Sequence, residues 1–216
     1  MFNILNPAIS DYMESLGRNT DDEVLLEMEA LAREKSFPII GRLCGIFLEQ
    51  MTLSVRARRV FEFGSGYGYS AYWFTRAVGS AGTVICTEGN EQNVSRAKGF
   101  LERAGRWNRT QYHCGWAQDH FAGTDGMFDV IYNDADKTGY PEIWSLARER
   151  ISPGGLYIAD NSLWSGRVTT PAADDESTRA IQNHNLQVSS DEEFSSFMYP
   201  VRDGVLVARR HSPEDA

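Results

Sequence analysis

The stretch Arg59-Val60-Phe61-Glu62-Phe63-Gly64-Ser65-Gly66-Tyr67-Gly68-Tyr69-Ser70 decides the fold. A β-branched and aromatic run breaks into three glycines within five positions, and a helical pattern through Trp73 and Ala77 follows. Strand, tight glycine turn and helix in that order bring a backbone close to a ligand at a helix N-terminus, as in the first unit of a parallel α/β sheet. Downstream, strand-like runs recur at 83–88, 110–114, 128–132 and 156–159, and then at 193–199 and 205–209. Segments of helical period separate the earlier ones. One of these opens at Asn90, sets Val94, Ala97, Leu101 and Ala104 on one face, and stops at Gly105. Only residues 200–204 part the last two runs, too few for a crossover helix, so they pair as an antiparallel hairpin and the sheet is mixed. The expected architecture is α/β, a Rossmann-like seven-stranded mixed sheet flanked by helices.

Upstream of the quoted stretch lie about three helical segments, one opening with Thr20 and Glu23 spaced as a capping box and continuing through Val24, Met28, Leu31 and Ala32. They read as an N-terminal helical cap over residues 1–55, with the cofactor-binding and catalytic core over 56–216. The 216 residues contain no linker-like tract, so one domain is expected. A chain with 42% hydrophobic and 24% charged residues is neither disordered nor collagen-like. No apolar run reaches membrane-spanning length, so no membrane partner is expected. The net charge of -9 argues against a nucleic-acid surface. Cys44, Cys86 and Cys114 form no CxxC pair and read as reduced core residues. The N-terminus carries Asp11 and Glu14 where a signal peptide is apolar, so a cytoplasmic location is expected. Residues 162–176 lack either period and read as a loop beside the sheet.

Two acids define the ligand of the glycine turn. Glu88 ends the second strand, where a carboxylate accepts hydrogen bonds from both hydroxyls of a ribose. The glycines are spaced G-x-G-x-G, not as in dinucleotide sites, and Glu62 puts negative charge where a pyrophosphate is repelled. A cationic adenosyl compound fits better: S-adenosylmethionine has an ammonium for Glu62 and no phosphate. A glycine turn alone also occurs without a ligand, and a strand-end glutamate without a partner.

A second group of polar residues ends the fourth and fifth strands: Asn133-Asp134-Ala135-Asp136-Lys137 and Asp160-Asn161. Carboxyl ends of parallel strands share one rim, which brings Asp134 beside Asp160 and Asn161. Two adjacent carboxylates repel unless a cation sits between them, and an all-oxygen set suits Mg2+, Ca2+ or Mn2+. Strand-end turns use the same residue types without a metal. Lys137, three residues past Asp134, is placed for general-base use, with Asp136 the structural acid of the pair.

With these residues in view, the sequence resembles the cation-dependent class I O-methyltransferases, which include the caffeoyl-CoA and catechol O-methyltransferases. The resemblance runs from about Phe37 to the C-terminus and is carried by FEFGSGYGYSAYW, NDADKTGYP, ADNSLWSGRV and PVRDGVLVARR, in that order. It implies a last strand inserted antiparallel, metal ligands at Asp134, Asp160 and Asn161, and a catalytic lysine at Lys137. It implies cofactor contacts at Glu62, Gly64, Ser70, Glu88, Ala117, Gln118 and Asp134, with Ala117 and Gln118 near the adenine. Trp164 resembles the family's aromatic wall of the acceptor pocket, and Tyr140 is a second candidate for that flat surface. The implied partners are a small-molecule aromatic hydroxyl acceptor and, as in many members, a second subunit of a homodimer. The departures are the segment FPIIGRLCG, Trp116 at a position where many members are small or acidic, and Phe197-Met198-Tyr199 without a carboxylate. The implied reaction moves a methyl group from S-adenosylmethionine to one hydroxyl of a catechol-like acceptor. Its rivals are a nicotinamide-dependent oxidoreductase and a non-catalytic cofactor-binding protein on the same fold.

Overall fold

The computed structural model describes residues 5–17, 22–170 and 175–215. Seven strands among them, β1 (Arg59–Phe63), β2 (Thr83–Glu88), β3 (Thr110–Cys114), β4 (Phe128–Asn133), β5 (Ile151–Ala159), β6 (Phe194–Tyr199) and β7 (Val205–Arg210), form one sheet in the order β3-β2-β1-β4-β5-β7-β6. Every pairing from β3 to β5 is parallel, and β7 runs antiparallel between β5 and β6. The mixed sheet read from the sequence is therefore the observed one. β5 starts earlier than expected because Pro153-Gly154-Gly155, which reads as a turn, lies within an irregular pairing where Ile151 meets Phe128 before the register shifts.

Eight helices flank the sheet: α1 (Pro7–Ser15), α2 (Glu23–Lys35), α3 (Gly41–Ser54), α4 (Tyr69–Ala77), α5 (Glu91–Arg103), α6 (Ala117–Ala122), α7 (Tyr140–Ala147) and α8 (Glu176–Ser189), counted among the described residues. Both sheet faces are covered, so alternate residues of one strand enter different cores. Val60, Val84, Val130 and Ile158 meet Leu25, Met28, Leu48, Trp73 and Leu101 on one side. Phe61, Phe63, Ile131 and Tyr157 meet Phe121, Ile143, Trp144 and Ile181 on the other. Each fully buried side chain of this size contributes about 1.5–3 kcal/mol. α3 and α4 approach so closely that Gly45 has no room for a Cβ against the Trp73 indole.

The cap of α5 is the one read from the sequence, with the Asn90 side chain accepting from Gln92 N at 2.8 Å. For α2, Thr20 lies outside the described residues, and Asp22 is the observed cap, accepting from Val24 N at 2.9 Å. The expected loop 162–176 is corrected in part: Trp164–Thr169 forms a kinked 3-10 turn. Cys44 and Cys86 are buried free thiols, but Cys114, at the exposed end of edge strand β3, is not a core residue. Among the described residues, no helix is long and apolar enough to cross a membrane.

Candidate active site

β1 and β4 are neighbours, yet the chain leaves β1 for β2 on the opposite side, so a crevice opens at their carboxyl ends. Gly64 sits in it at φ 81°, and a Cβ there would stand 2.6 Å from the Asp134 carbonyl oxygen. Only glycine admits that approach. The turn is tied on both sides: Asp134 N donates to Phe63 O at 2.9 Å, and Ser65 N donates to Thr87 O at 2.8 Å.

A cleft of about 800 Å3 lies on one side of Gly64, with Glu88, Trp116, Ala117, Gln118 and Ala135 among its walls. A recess of about 40 Å3 lies on the other, lined in part by Phe37, Ser65, Ser70 and Asp134. The structure thus brings Gly64, Ser70, Glu88, Ala117, Gln118 and Asp134 along one crevice. Glu88 Oε1 is steadied by Asn90 N at 2.9 Å and Asn93 Nδ2 at 3.3 Å. Glu62 is placed differently. It is fully buried below the turn, where Ser65 Oγ donates to Oε2 at 2.6 Å and Ser70 Oγ donates to Oε1. Loss of water pushes its carboxyl up to about 7 against the pull of the two hydroxyls, and the charge of Asp134 adds to the rise.

At the ends of β4 and β5 the second cluster assembles. Lys137 Nζ donates to Asp134 Oδ1 at 2.8 Å and to the Tyr140 hydroxyl at 2.6 Å. That hydroxyl lies 3.0 Å from the Asp160 carbonyl and 3.2 Å from the Asn133 carbonyl, so Tyr140 bridges the two strand ends. Tyr140 is fully buried and is a support for Lys137, not an acceptor wall. Asp160 is only 4% exposed, and its Oδ1 has no hydrogen-bond partner among the described residues. Burial and the charge of Asp134 push its carboxyl above the usual carboxylate range, with Lys137 opposing. Asn161 takes φ 51°, a left-handed conformation that Asn tolerates, and turns the chain at the end of β5.

Among the described residues no three acids, histidines or cysteines converge, so the candidate metal set is two carboxylates and one amide. That set fits a hard divalent cation: its donors are all oxygen, and a buried unmet carboxylate oxygen is what such an ion satisfies. Trp164 is not in the cleft wall; its ring packs on the second core beneath the Arg167 guanidinium, 4.4 Å from the ring centre.

Beneath the acids runs a buried polar chain that the sequence did not disclose. Asn133 Nδ2 donates to Tyr157 OH at 2.9 Å, Tyr157 OH lies 2.9 Å from His184 Nε2, and His184 Nδ1 lies 3.1 Å from Asn185 Oδ1. Asn185 Nδ2 then donates to Ser162 O at 2.7 Å. Its ends are the neighbours of Asp134 and Asn161. Tyr140 carried a legible signal, its three-residue spacing from Lys137; His184 and Asn185 carried none.

This strand order, with a crevice at the ends of β1 and β4 beside an oxygen-rich acid cluster, defines the doubly wound, ligand-binding α/β class. Residues 9–211 match the family model described as O-methyltransferase. A catechol O-methyltransferase of Niastella koreensis is 28% identical over 88% of this chain and 88% of its own length. A caffeoyl-CoA O-methyltransferase of Petroselinum crispum is 28% identical over 78% of this chain and 75% of its own. An O-methyltransferase of Bacillus cereus, solved in complex with SAH, superposes with a TM-score of 0.86 at 25% identity, over 94% of this chain and 97% of that one. The chain belongs to the O-methyltransferase family, in the class whose members take the methyl group from S-adenosylmethionine.

Proposed function

We propose that this chain methylates one hydroxyl of a vicinal dihydroxy aromatic, with S-adenosylmethionine as donor and a divalent cation, Mg2+ before Ca2+ or Mn2+, held by Asp134, Asp160 and Asn161. The observation that carries this reading is the buried, unmet Oδ1 of Asp160 in a cluster with Asp134 and Lys137. The names of the Niastella and Petroselinum relatives, catechol and caffeoyl-CoA O-methyltransferase, support the acceptor class.

When bound, the donor supplies a methyl group on a cationic sulfonium, and the metal supplies Lewis acidity to two neighbouring oxygens. The rest falls to the protein. Glu88 accepts from the ribose hydroxyls, Ala117 and Gln118 flank the base, and Gly64 lets the ligand lie against the backbone. Glu62 holds Ser65 and Ser70 in place from below the turn. Lys137 takes the acceptor proton at Nζ, which Asp134 and Tyr140 hold in position. Trp164, whose backbone N–H donates to Asn161 O at 2.9 Å, flanks the acceptor side. The chain works as one domain and as a homodimer, in which a second copy covers Ile9, Tyr12, Met13 and Leu16, an exposed stripe at helical spacing along α1 and its cap.

A methyl-transfer assay over catechols, caffeate esters and flavonoids, run with Mg2+ and then with a chelator, tests the reading. Turnover on at least one vicinal diol is expected with Mg2+ and is lost with the chelator. Undiminished turnover in the chelator rejects the metal role.

A further inference from the structure

Trp116 is the most exposed large apolar side chain among the described residues, at 75%, and no step above uses it. Its exposure is not the slack of a mobile loop. Gly115 N donates to the Glu88 carbonyl at 3.0 Å. Gly115 itself runs at φ 139°, where a Cβ would stand 3.0 Å from His120 Nε2. His120 Nε2 in turn donates to Cys114 O at 3.1 Å, and the His120 ring stacks on His113 with centroids 4.9 Å apart. A glycine, a stacked histidine pair and a bond to the backbone of Glu88 therefore fix the turn that carries Trp116. The indole meets no ring or cation of the described residues, and it lines the 800 Å3 cleft.

Its place relative to Glu88 identifies what covers it. A single hydrogen bond joins the Glu88 carbonyl to the residue before Trp116, and a single glycosidic bond joins a ribose to its base. Once Glu88 holds the ribose hydroxyls, the base is the nearest planar group, while the acceptor's place at Asp134 and Lys137 lies past Gly64. We propose that Trp116 is the stacking wall for the adenine ring of the methyl donor, its indole closing over the base on the open side of the cleft. This assignment rests on the cofactor reading given above. An aromatic face is the surface a purine prefers, and it contributes to affinity without any hydrogen-bond partner.

Binding of S-adenosylhomocysteine by calorimetry to the wild type, Trp116→Ala and Trp116→Phe tests it, with unfolding midpoints of the free proteins measured alongside. The exposed ring can be removed without shifting the midpoint. The alanine variant is expected to bind about tenfold more weakly or worse, and the phenylalanine variant within about threefold of wild type. Wild-type affinity in Trp116→Ala overturns the assignment and leaves the cofactor reading standing. Equal losses in both variants overturn the stacking role. A wild type that takes no S-adenosylhomocysteine removes the cofactor reading, and the assignment with it.

Discussion

Glu62 shows how one residue's surroundings convert into a measurable slope. Its carboxyl is fully buried and accepts from Ser65 and Ser70, and loss of water pushes it up to about 7 from an ordinary 4.5. A folded value above the unfolded one means that the native state holds the proton more tightly. The contribution is whole below pH 4.5 and is lost as pH rises to 7, after which it stays lost. Across that window one group accounts for roughly 3 kcal/mol. Glu62→Gln keeps the shape and still accepts from one serine while donating to the other, but it does not titrate. Urea unfolding of the ligand-free protein should show the variant gaining on the wild type from pH 4.5 to 7, with parallel curves below and above. Parallel curves throughout would mean that Glu62 is charged and solvated, contrary to its place under the turn. This is also where the sequence fell short at residue scale. Pattern puts an acid at the end of β1, but nothing in the pattern says whether that acid faces the cleft or the two serines that follow it.

Elements were legible in proportion to how continuous their buried apolar positions are. β1 and β2 could be bounded from the sequence because runs of Val, Ile and Phe end there at Gly64 and Gly89. The rim acids followed from topology alone, since parallel strands must end together. α8 stayed unread because its buried positions are Thr178, Ile181, His184 and Val188, so half of its inner face is polar and the apolar period fails. That helix docks through Ile181 and Val188 in the apolar core and through the buried chain from Asn133 through Tyr157, His184 and Asn185 to Ser162. Burial pulls the His184 imidazole down to about 4 from 6.5, the opposite sense to Glu62. A depressed folded value gives stability that is whole above pH 6.5 and is lost as pH falls to 4. His184→Phe leaves Tyr157 OH and Asn185 Oδ1 short of a partner and should cost about 2 kcal/mol at pH 8. The cost should shrink toward pH 4.5, because the wild type pays its own protonation penalty there and the variant has none. Chemical denaturation of both proteins at the two pH values checks this, and a cost that does not change with pH would contradict a buried neutral imidazole.

At the scale of the molecule, the excess of acid in the composition reappears as the lining of the ligand cleft. The net charge is -9, and Glu88, Asp136, Glu142 and Glu176 line the cleft, with no lysine or arginine among its described walls. Such a cavity repels a pyrophosphate and tolerates a cationic or zwitterionic adenosyl compound, whose recognition rests on ribose hydroxyls, a flat base and an ammonium. The glycine spacing therefore agrees with the field that the folded chain builds around it. A nicotinamide dinucleotide meets four carboxylates where it needs donors. Binding to the native state alone stabilises by about 2.7 kcal/mol at a ligand concentration a hundred times the dissociation constant. For a chain of this length that corresponds to a rise of roughly 5–10 °C in Tm. S-adenosylhomocysteine at saturating concentration should produce that rise, and NAD at the same concentration should leave Tm where it was. The difference should survive physiological salt, since screening weakens the repulsion of a dinucleotide but gives its phosphates no basic partner among the described walls. A rise with NAD, or none with S-adenosylhomocysteine, would show that the acid-lined cleft does not select its ligand by charge.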